Sequence, residues 1–272
     1  MNWNAVQAIV RKDLKVVFQN KGVSIPLIAA PIILLVALPG VVAVMARSGA
    51  VASTEAAELE TILQVMPAGL QAALAGYDAA QRFALFLLVY GAAAMYLLLP
   101  LLVVTTIASD SFAGEKERKT LEALLYTPTT DWELLLGKLL SAWLPALGIA
   151  WGGFVLYAVL ANLAAWPLLG RVFFPTTAWG ILAAWVAPAA AGLGLSSMVL
   201  ISSRARTFQE ANQLAAVVVL PTFLLLGSSL LGVMCFSPWL MVLLGVVLWA
   251  IVALLVWLGR RGFRRNKLAT QI

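Results

Sequence analysis

Long apolar runs without a single charged side chain dominate this sequence of 272 residues. Crossing a hydrocarbon core of about 30 Å takes about 20 apolar residues in a helix. Because six runs reach that length, we predict an all-α integral membrane protein in which the whole chain, 1–272, forms one transmembrane domain. The six predicted spans are residues 24–46, 83–109, 139–164, 178–202, 214–233 and 239–259.

The basic residues lie almost entirely in alternate segments between these spans. Of the 18 lysines and arginines, only Arg47, Arg82 and Arg171 fall on the opposite side. Short loops rich in Lys and Arg stay cytoplasmic. We therefore predict a multi-pass protein of the plasma (inner) membrane with both termini in the cytoplasm. Anionic lipid headgroups explain these membrane-edge charges better than nucleic acid, so we expect lipid partners and no nucleic acid.

Several kinds of chemistry have no residues to support them. The sequence has no histidine and one cysteine, Cys235, which leaves no cluster for a zinc or copper site. The pair Gly137–Lys138 lacks the flanking residues of a phosphate-binding loop. Spans without ionisable groups argue against a proton-coupled carrier. We predict no catalytic residue, metal or cofactor on this chain, and an energy source on a partner.

The two segments that flank the first span have different patterns. Residues 1–21 alternate an apolar stripe with basic residues at helical spacing, which predicts an amphipathic helix lying in the headgroup plane. A solvated leader is the alternative. Residues 47–82 form an external helical connector or a lid, in which Pro67 ends one short helix and Gly76 separates the next from span two.

The segment 110–138, between spans two and three, has the most informative pattern. From Glu115 its charges and then its leucines suit a short amphipathic helix that Pro128 ends. Thr130 followed by Glu133 is a capping box, so a second helix begins there and continues into span three. By charge content alone, a solvated loop is the favoured interpretation.

The order of residues in this hairpin resembles the cytoplasmic hairpin of type-2 ATP-binding-cassette (ABC) permeases, and among these it is most similar to sodium-extrusion-type permeases. Residues 1–21 and 202–215 are similar to the connecting helix and to the second cytoplasmic turn of that family. The external region after span one is shorter than in the sodium-extrusion members. The hairpin residues that fit are Gly114, Glu115, Lys116, Glu117, Thr120, Leu121, Glu122, Leu124, Leu125, Pro128, Glu133, Leu134, Gly137 and Lys138.

This resemblance implies a permease subunit that pairs with a second permease copy or homologue and with two cytoplasmic ATPase subunits. ATP and magnesium would bind the ATPase, and the hairpin would be a coupling helix docked on it. The implied second contact consists of Arg204, Arg206 and Glu210. The implied ATPase-coupling residues are Gly114, Glu115, Lys116, Glu117, Arg118, Thr120, Leu121 and Glu122, whose charges would form ion pairs at the rim of the contact.

The same resemblance places the transport route along spans two and five. Hydroxyl residues there are Thr105, Thr106, Ser228 and Ser229, although such residues also serve close helix packing. An uncharged route favours a lipophilic or amphiphilic substrate, and the resemblance implies that this substrate is exported from the cytoplasm or inner leaflet. ATP-driven sodium extrusion is one alternative, and a secondary carrier or a non-transporting membrane anchor or scaffold is another.

Overall fold

The computed structural model describes residues 2–48, 61, 64, 68–118, 129–202, 207–214 and 238–262. Within those ranges the regular structure is entirely helical. Seven helices have defined bounds: α1 Trp3–Gln19, α2 Lys21–Ser48, α3 Ala68–Leu74, α4 Ala79–Glu117, α5 Asp131–Leu169, α6 Thr177–Ser202 and α7 Pro238–Gly262.

Five of these helices contain stretches long and apolar enough to cross a membrane, which confirms the prediction of an all-helical membrane protein. They coincide with predicted spans one, two, three, four and six, and the observed stretches extend further at spans two and three. The predicted span at 214–233 lies, apart from Leu214, outside the described residues, so the count of six stays a prediction. The observed stretches are Val23–Met45, Ala79–Glu117, Trp132–Leu169, Thr177–Ile201 and Pro238–Leu258.

Helix α5 is the centre of the bundle. It packs against α1, α2 and α4, while α6 packs against α4 and α7. Ala142, Ala146 and Ala150 follow one another at a spacing of four residues on α5 and are fully buried. Small side chains at this spacing let helix backbones approach closely in a membrane, where close packing replaces the hydrophobic effect as the main attraction between helices.

Two transmembrane helices contain π-helical turns, at Phe86–Gly91 and Asp110–Gly114 in α4 and at Leu182–Val186 in α6. A π turn disturbs the regular backbone bonding and leaves carbonyl oxygens that need other donors. Side chains of neighbouring helices supply them. The Tyr157 hydroxyl donates to the Leu88 carbonyl at 2.7 Å, and the Trp151 indole donates to the Ala183 carbonyl at 3.0 Å.

The helix boundaries follow local capping chemistry. The predicted capping box at the start of α5 is confirmed, because the Thr130 hydroxyl accepts from the Glu133 N–H while the Glu133 carboxylate accepts from the Thr130 N–H. Gly76 lies in the turn between α3 and α4, as predicted. The first short helix expected in the 47–82 connector falls mostly on residues outside the described ranges.

Helix α1 lies directly against the first turns of α5. Val6, Ile9 and Val17 are buried, whereas Trp3 and Phe18 on the neighbouring face are more than half exposed. The contact depends on Gly137, because a Cβ added there would lie 2.8 Å from the Cβ and Cγ2 atoms of Ile9. Since Ile9 is branched at Cβ, it cannot move aside without moving the α1 backbone.

Gly137→Ala is expected to destabilise the protein by about 1–3 kcal/mol, because it forces α1 away from α5. The matched control is Gly148→Ala in the same helix, where an added Cβ meets open space. That control is expected to be neutral or to stabilise by about 0.5–1 kcal/mol, since alanine is the better helix former. Thermal unfolding of the purified protein in detergent measures both changes, and equal melting temperatures for the two variants would contradict the close approach.

Candidate functional site

The end of the bundle formed by α1, the last turns of α4 and the first turns of α5 contains most of the predicted coupling residues that the structure describes. Residues 110–117 continue α4 without a break, so Gly114–Glu117 are an extension of the second span and Arg118 caps its end. Thr120, Leu121 and Glu122 lie outside the described residues. The beginning of the hairpin is therefore attached directly to a transmembrane helix.

Glu115 lies inside this end of the bundle and not on the rim where we expected it to meet a partner. Its residue is 7% exposed, and its carboxylate accepts from Lys12 at 2.5 Å and forms a second ion pair with Lys138. The π turn at Asp110–Gly114 is the physical reason. A π turn contains one extra residue, so it rotates the side chains that follow it around the helix axis. Glu115 is thereby directed towards α1 and α5.

Lys138 is the buried partner of Glu115. The order of residues in the hairpin did not indicate this ion pair, because it does not show that the Lys138 side chain is fully buried. Its ammonium donates to the Ser111 carbonyl at 2.5 Å and lies 3.3 Å from the Ser111 hydroxyl, in addition to its ion pair with Glu115. The ammonium also lies 5.3 Å from the centroid of the Phe112 ring, a favourable cation–π distance. The two ends of the hairpin pattern thus meet in one buried ion pair.

Asp13 is a buried acid that the sequence analysis did not single out. It is 3% exposed, and it accepts from the Ser111 hydroxyl at 2.8 Å and from the Ser141 hydroxyl at 3.2 Å. A signal was present in the sequence: Asp13 stands at helical spacing from Val6, Ile9 and Val17 on the apolar stripe of α1. An acid on the buried stripe of an otherwise basic helix indicates a charged partner on the element it packs against.

Two negative and two positive side chains face one another here. Asp13 and Glu115 face Lys12 and Lys138, and we call these four side chains the charge network. Asp13, Glu115 and Lys138 are buried, whereas the Lys12 side chain is 40% exposed. Lys12 lies 2.8 Å from Asp13. Burial acts to lower the pKa of Lys12, but the hydrogen bonds and attraction to Asp13 and Glu115 outweigh it, so the pKa is raised above its usual 10.5. Lys12 therefore stays protonated, and its contribution to stability is lost only as the pH rises through that raised value.

Gly114 makes room for a further ion pair. Arg118 lies 3.0 Å from Asp110, and a Cβ at Gly114 would lie 2.9 Å from the same Asp110 oxygen and 3.2 Å from the Arg118 guanidinium. Asp110 is buried while the Arg118 side chain is 44% exposed. The ion pair thus runs across the glycine and ties the first exposed turn of the hairpin to the end of span two.

The structure connects the end of α4 to the segment that contains Glu210 of the predicted second contact. The Glu117 carboxylate accepts from the backbone N–H of Phe208 at 2.9 Å, at the start of the helical residues 208–214. Thr207 and exposed Glu210 form a local cap there, with the Glu210 N–H 3.1 Å from the Thr207 hydroxyl. Arg204 and Arg206 lie outside the described residues.

The hydroxyls expected on the transport route bond within their own helix. Thr105 is buried and donates to the Leu101 carbonyl at 2.7 Å, and Thr106 donates to the Leu102 carbonyl at 2.7 Å. Such bonds satisfy the hydroxyl locally. Ser228 and Ser229 lie outside the described residues. Among the residues that the structure describes, no group of three or more acidic or cysteine side chains could hold a metal ion.

Lys138→Met is expected to destabilise the protein by about 3–5 kcal/mol, because it leaves Glu115 buried with an unbalanced negative charge in the network. Lys15→Met, at an exposed position of α1, is the matched control and is expected to change stability by no more than about 0.5 kcal/mol. Thermal unfolding in detergent compares them. A Lys138→Met protein that melts like the control would show that the ion pair is not buried.

Comparison with known proteins identifies the family of this chain. A family profile described as ABC-2 family transporter protein matches residues 7–238, which is most of the chain. The ABC transporter permease protein NatB of Bacillus subtilis (strain 168) is 33% identical over 138 residues, which cover 46% of this chain and 35% of that relative. The matched region thus spans about a third of NatB. This chain belongs to the ABC-2 transporter family.

Proposed function

We propose that this chain is the permease subunit of an ABC exporter and that it pairs with a second permease and two ATPase subunits. The observation that carries the proposal is the direct continuation of span two into the exposed turn at Lys116–Arg118, which Glu117 ties to residues 208–214. A partner that binds this surface would act on a membrane helix without an intervening flexible linker. ATP and magnesium would be bound by the partner, and this chain would contribute no catalytic residue.

The contact with the ATPase is proposed to use the exposed side chains of this end. Lys116, Glu117 and Arg118 are half-buried or exposed, and the hairpin residues Thr120, Leu121 and Glu122 follow them directly. Glu115 would not touch the ATPase itself, because its carboxylate is engaged in ion pairs with Lys12 and Lys138. Exposed ion pairs contribute only about 0–1 kcal/mol each, so they would set the register of docking more than its affinity.

The orientation follows from the same surface. A cytoplasmic ATPase requires the turn at 115–118 to face the cytoplasm. Because α1 packs at that end of the bundle, the N terminus would then be cytoplasmic as well. The exposed Arg11 and Lys15 of α1, beside the exposed Trp3 and Phe18, suit the anionic headgroup region of the inner leaflet.

The cargo proposed is lipophilic or amphiphilic. The described apolar stretches from residue 23 to 45, 86 to 109, 140 to 169 and 239 to 258 contain no charged side chain, and the network charges lie at one end only. A route without fixed charge offers little to a bare ion crossing hydrocarbon. Sodium extrusion is the competing cargo, because the hairpin is most similar to permeases of the sodium-extrusion type.

The partner is tested by affinity purification of the tagged full-length chain from its native membranes. We expect a soluble ATPase with a phosphate-binding loop to co-purify. Lys116→Glu should lower its yield at least about fivefold, because reversing a charge at a contact places like charges together. Lys15→Glu on α1 is the matched charge-reversal control and should leave the yield unchanged. If wild-type protein recovers no ATPase, the proposed function is wrong.

The cargo is tested with that complex in proteoliposomes supplied with ATP. We expect ATP-dependent movement of a fluorescent phospholipid or a hydrophobic dye, and no ATP-dependent sodium-22 flux. A complex carrying a catalytically dead ATPase is the control for passive leak. Sodium flux that is insensitive to added lipid or dye would replace the proposed cargo with the sodium alternative.

A further inference from the structure

Residues 111–115, at the start of the proposed docking surface, contact side chains that are too deeply buried for a partner protein to reach. Asp13 is 3% exposed and Lys138 is fully buried, yet both connect to the segment 111–115. Asp13 belongs to α1 and Lys138 to α5. The segment therefore has fixed connections to two other helices as well as to its own span.

Each contact of this network runs between helices, apart from the Lys12–Asp13 pair and a local bond of Ser141. Lys12 reaches Glu115 from α1, the Ser111 hydroxyl of α4 donates to Asp13, and Ser141 of α5 donates to the same Asp13 oxygen. Lys138 of α5 then binds the Ser111 carbonyl in the π turn. Three helices thus share one set of directional bonds at the point where α4 leaves the bundle.

Stability alone is a weak reason for such an arrangement. Removing the charges of Asp13, Glu115 and Lys138 from water costs much of what their attraction returns, and well-packed apolar side chains of similar size stabilise a core as well or better. The charged groups add geometric specificity, because the hydrogen bonds of an ammonium or a carboxylate form only over a narrow range of distances and angles. The network therefore sets where residues 111–115 lie relative to α1 and α5.

We propose that Lys12, Asp13, Ser141 and Lys138 are positioning residues that make the docking turn, α1 and the start of α5 move as one unit. This inference rests on the proposed function. A displacement of the turn by ATP-driven closure of the partner would then reach span three and the N-terminal helix together with span two. Without the network, the turn would still meet the ATPase but would pass on less of its movement.

The test removes the α1 side of the network without changing its net charge. Lys12→Gln together with Asp13→Asn deletes one positive and one negative group and leaves the Glu115–Lys138 pair in place. In the purified complex, we expect the yield of bound ATPase and the KM for ATP to stay within about twofold of wild type. The kcat for transport-coupled ATP hydrolysis should fall about tenfold, within the range by which residues on a coupling route change coupling. Lys15→Gln on the same helix is the matched control.

A second readout needs no partner. Amide hydrogen exchange of the permease alone should be faster at residues 110–118 in the double variant, while the interior of α5 beyond residue 150 should be unchanged. Ser141→Ala, which removes one bond to Asp13 and no charge, is the milder variant if the double variant does not fold. It should show the same pattern with a smaller change.

The outcomes separate the two proposals. If coupled ATP hydrolysis and exchange at 110–118 both match wild type in a folded variant, the positioning role is wrong while the permease assignment stands. If exchange increases but wild-type protein binds no ATPase, the proposed function fails and the network remains an intramolecular clamp. A loss of ATPase binding in the double variant would also overturn the positioning role, because the network would then shape the docking surface itself.

Discussion

An ammonium group with no access to water needs an anion beside it, and in this protein that requirement connects the two ends of the hairpin. Lys138, at the start of the third membrane helix, is neutralised by Glu115, at the end of the second. Removal of Glu115 alone would leave the buried Lys138 ammonium without an anion, and removal of Lys138 alone would leave Lys12 as the one cation facing both Asp13 and Glu115 in the network. The ends of two spans are therefore joined by electrostatics where the bundle meets the loop that is proposed to bind the ATPase.

The rest of that end is arranged around this pair. Gly137 precedes the buried lysine and lets α1 approach closely enough for Lys12 and Asp13 to complete the charge balance. Gly114 precedes the buried glutamate and leaves room for the Asp110–Arg118 pair. In each case a glycine without a side chain stands next to the charge. A bulkier residue would push apart the groups whose proximity makes the burial of charge tolerable.

Within the membrane a different constraint applies, because no water is present to satisfy the backbone. The π turns of α4 and α6 would leave carbonyl oxygens without donors, and tyrosine, tryptophan and lysine side chains from other helices supply them. The Lys138–Ser111 bond follows this rule as well as taking part in the charge network. The distorted turns are therefore tied by hydrogen bonds to neighbouring helices.

The sequence by itself determined the helical membrane class, the approximate bounds of five described spans and the capped start of α5 at Thr130. These depend on local properties: the length of uncharged apolar runs, and a hydroxyl and an acid three residues apart. Only the tertiary structure decided that Glu115 points inward, that Asp13 meets Ser111 and Ser141, and that Glu117 reaches Phe208. Those contacts join residues about 90 to 130 positions apart or depend on the register of a π turn. Charge and spacing along the chain indicate the buried stripe of α1, but they do not encode which residues of distant helices meet it, because packing of the whole bundle sets those pairings.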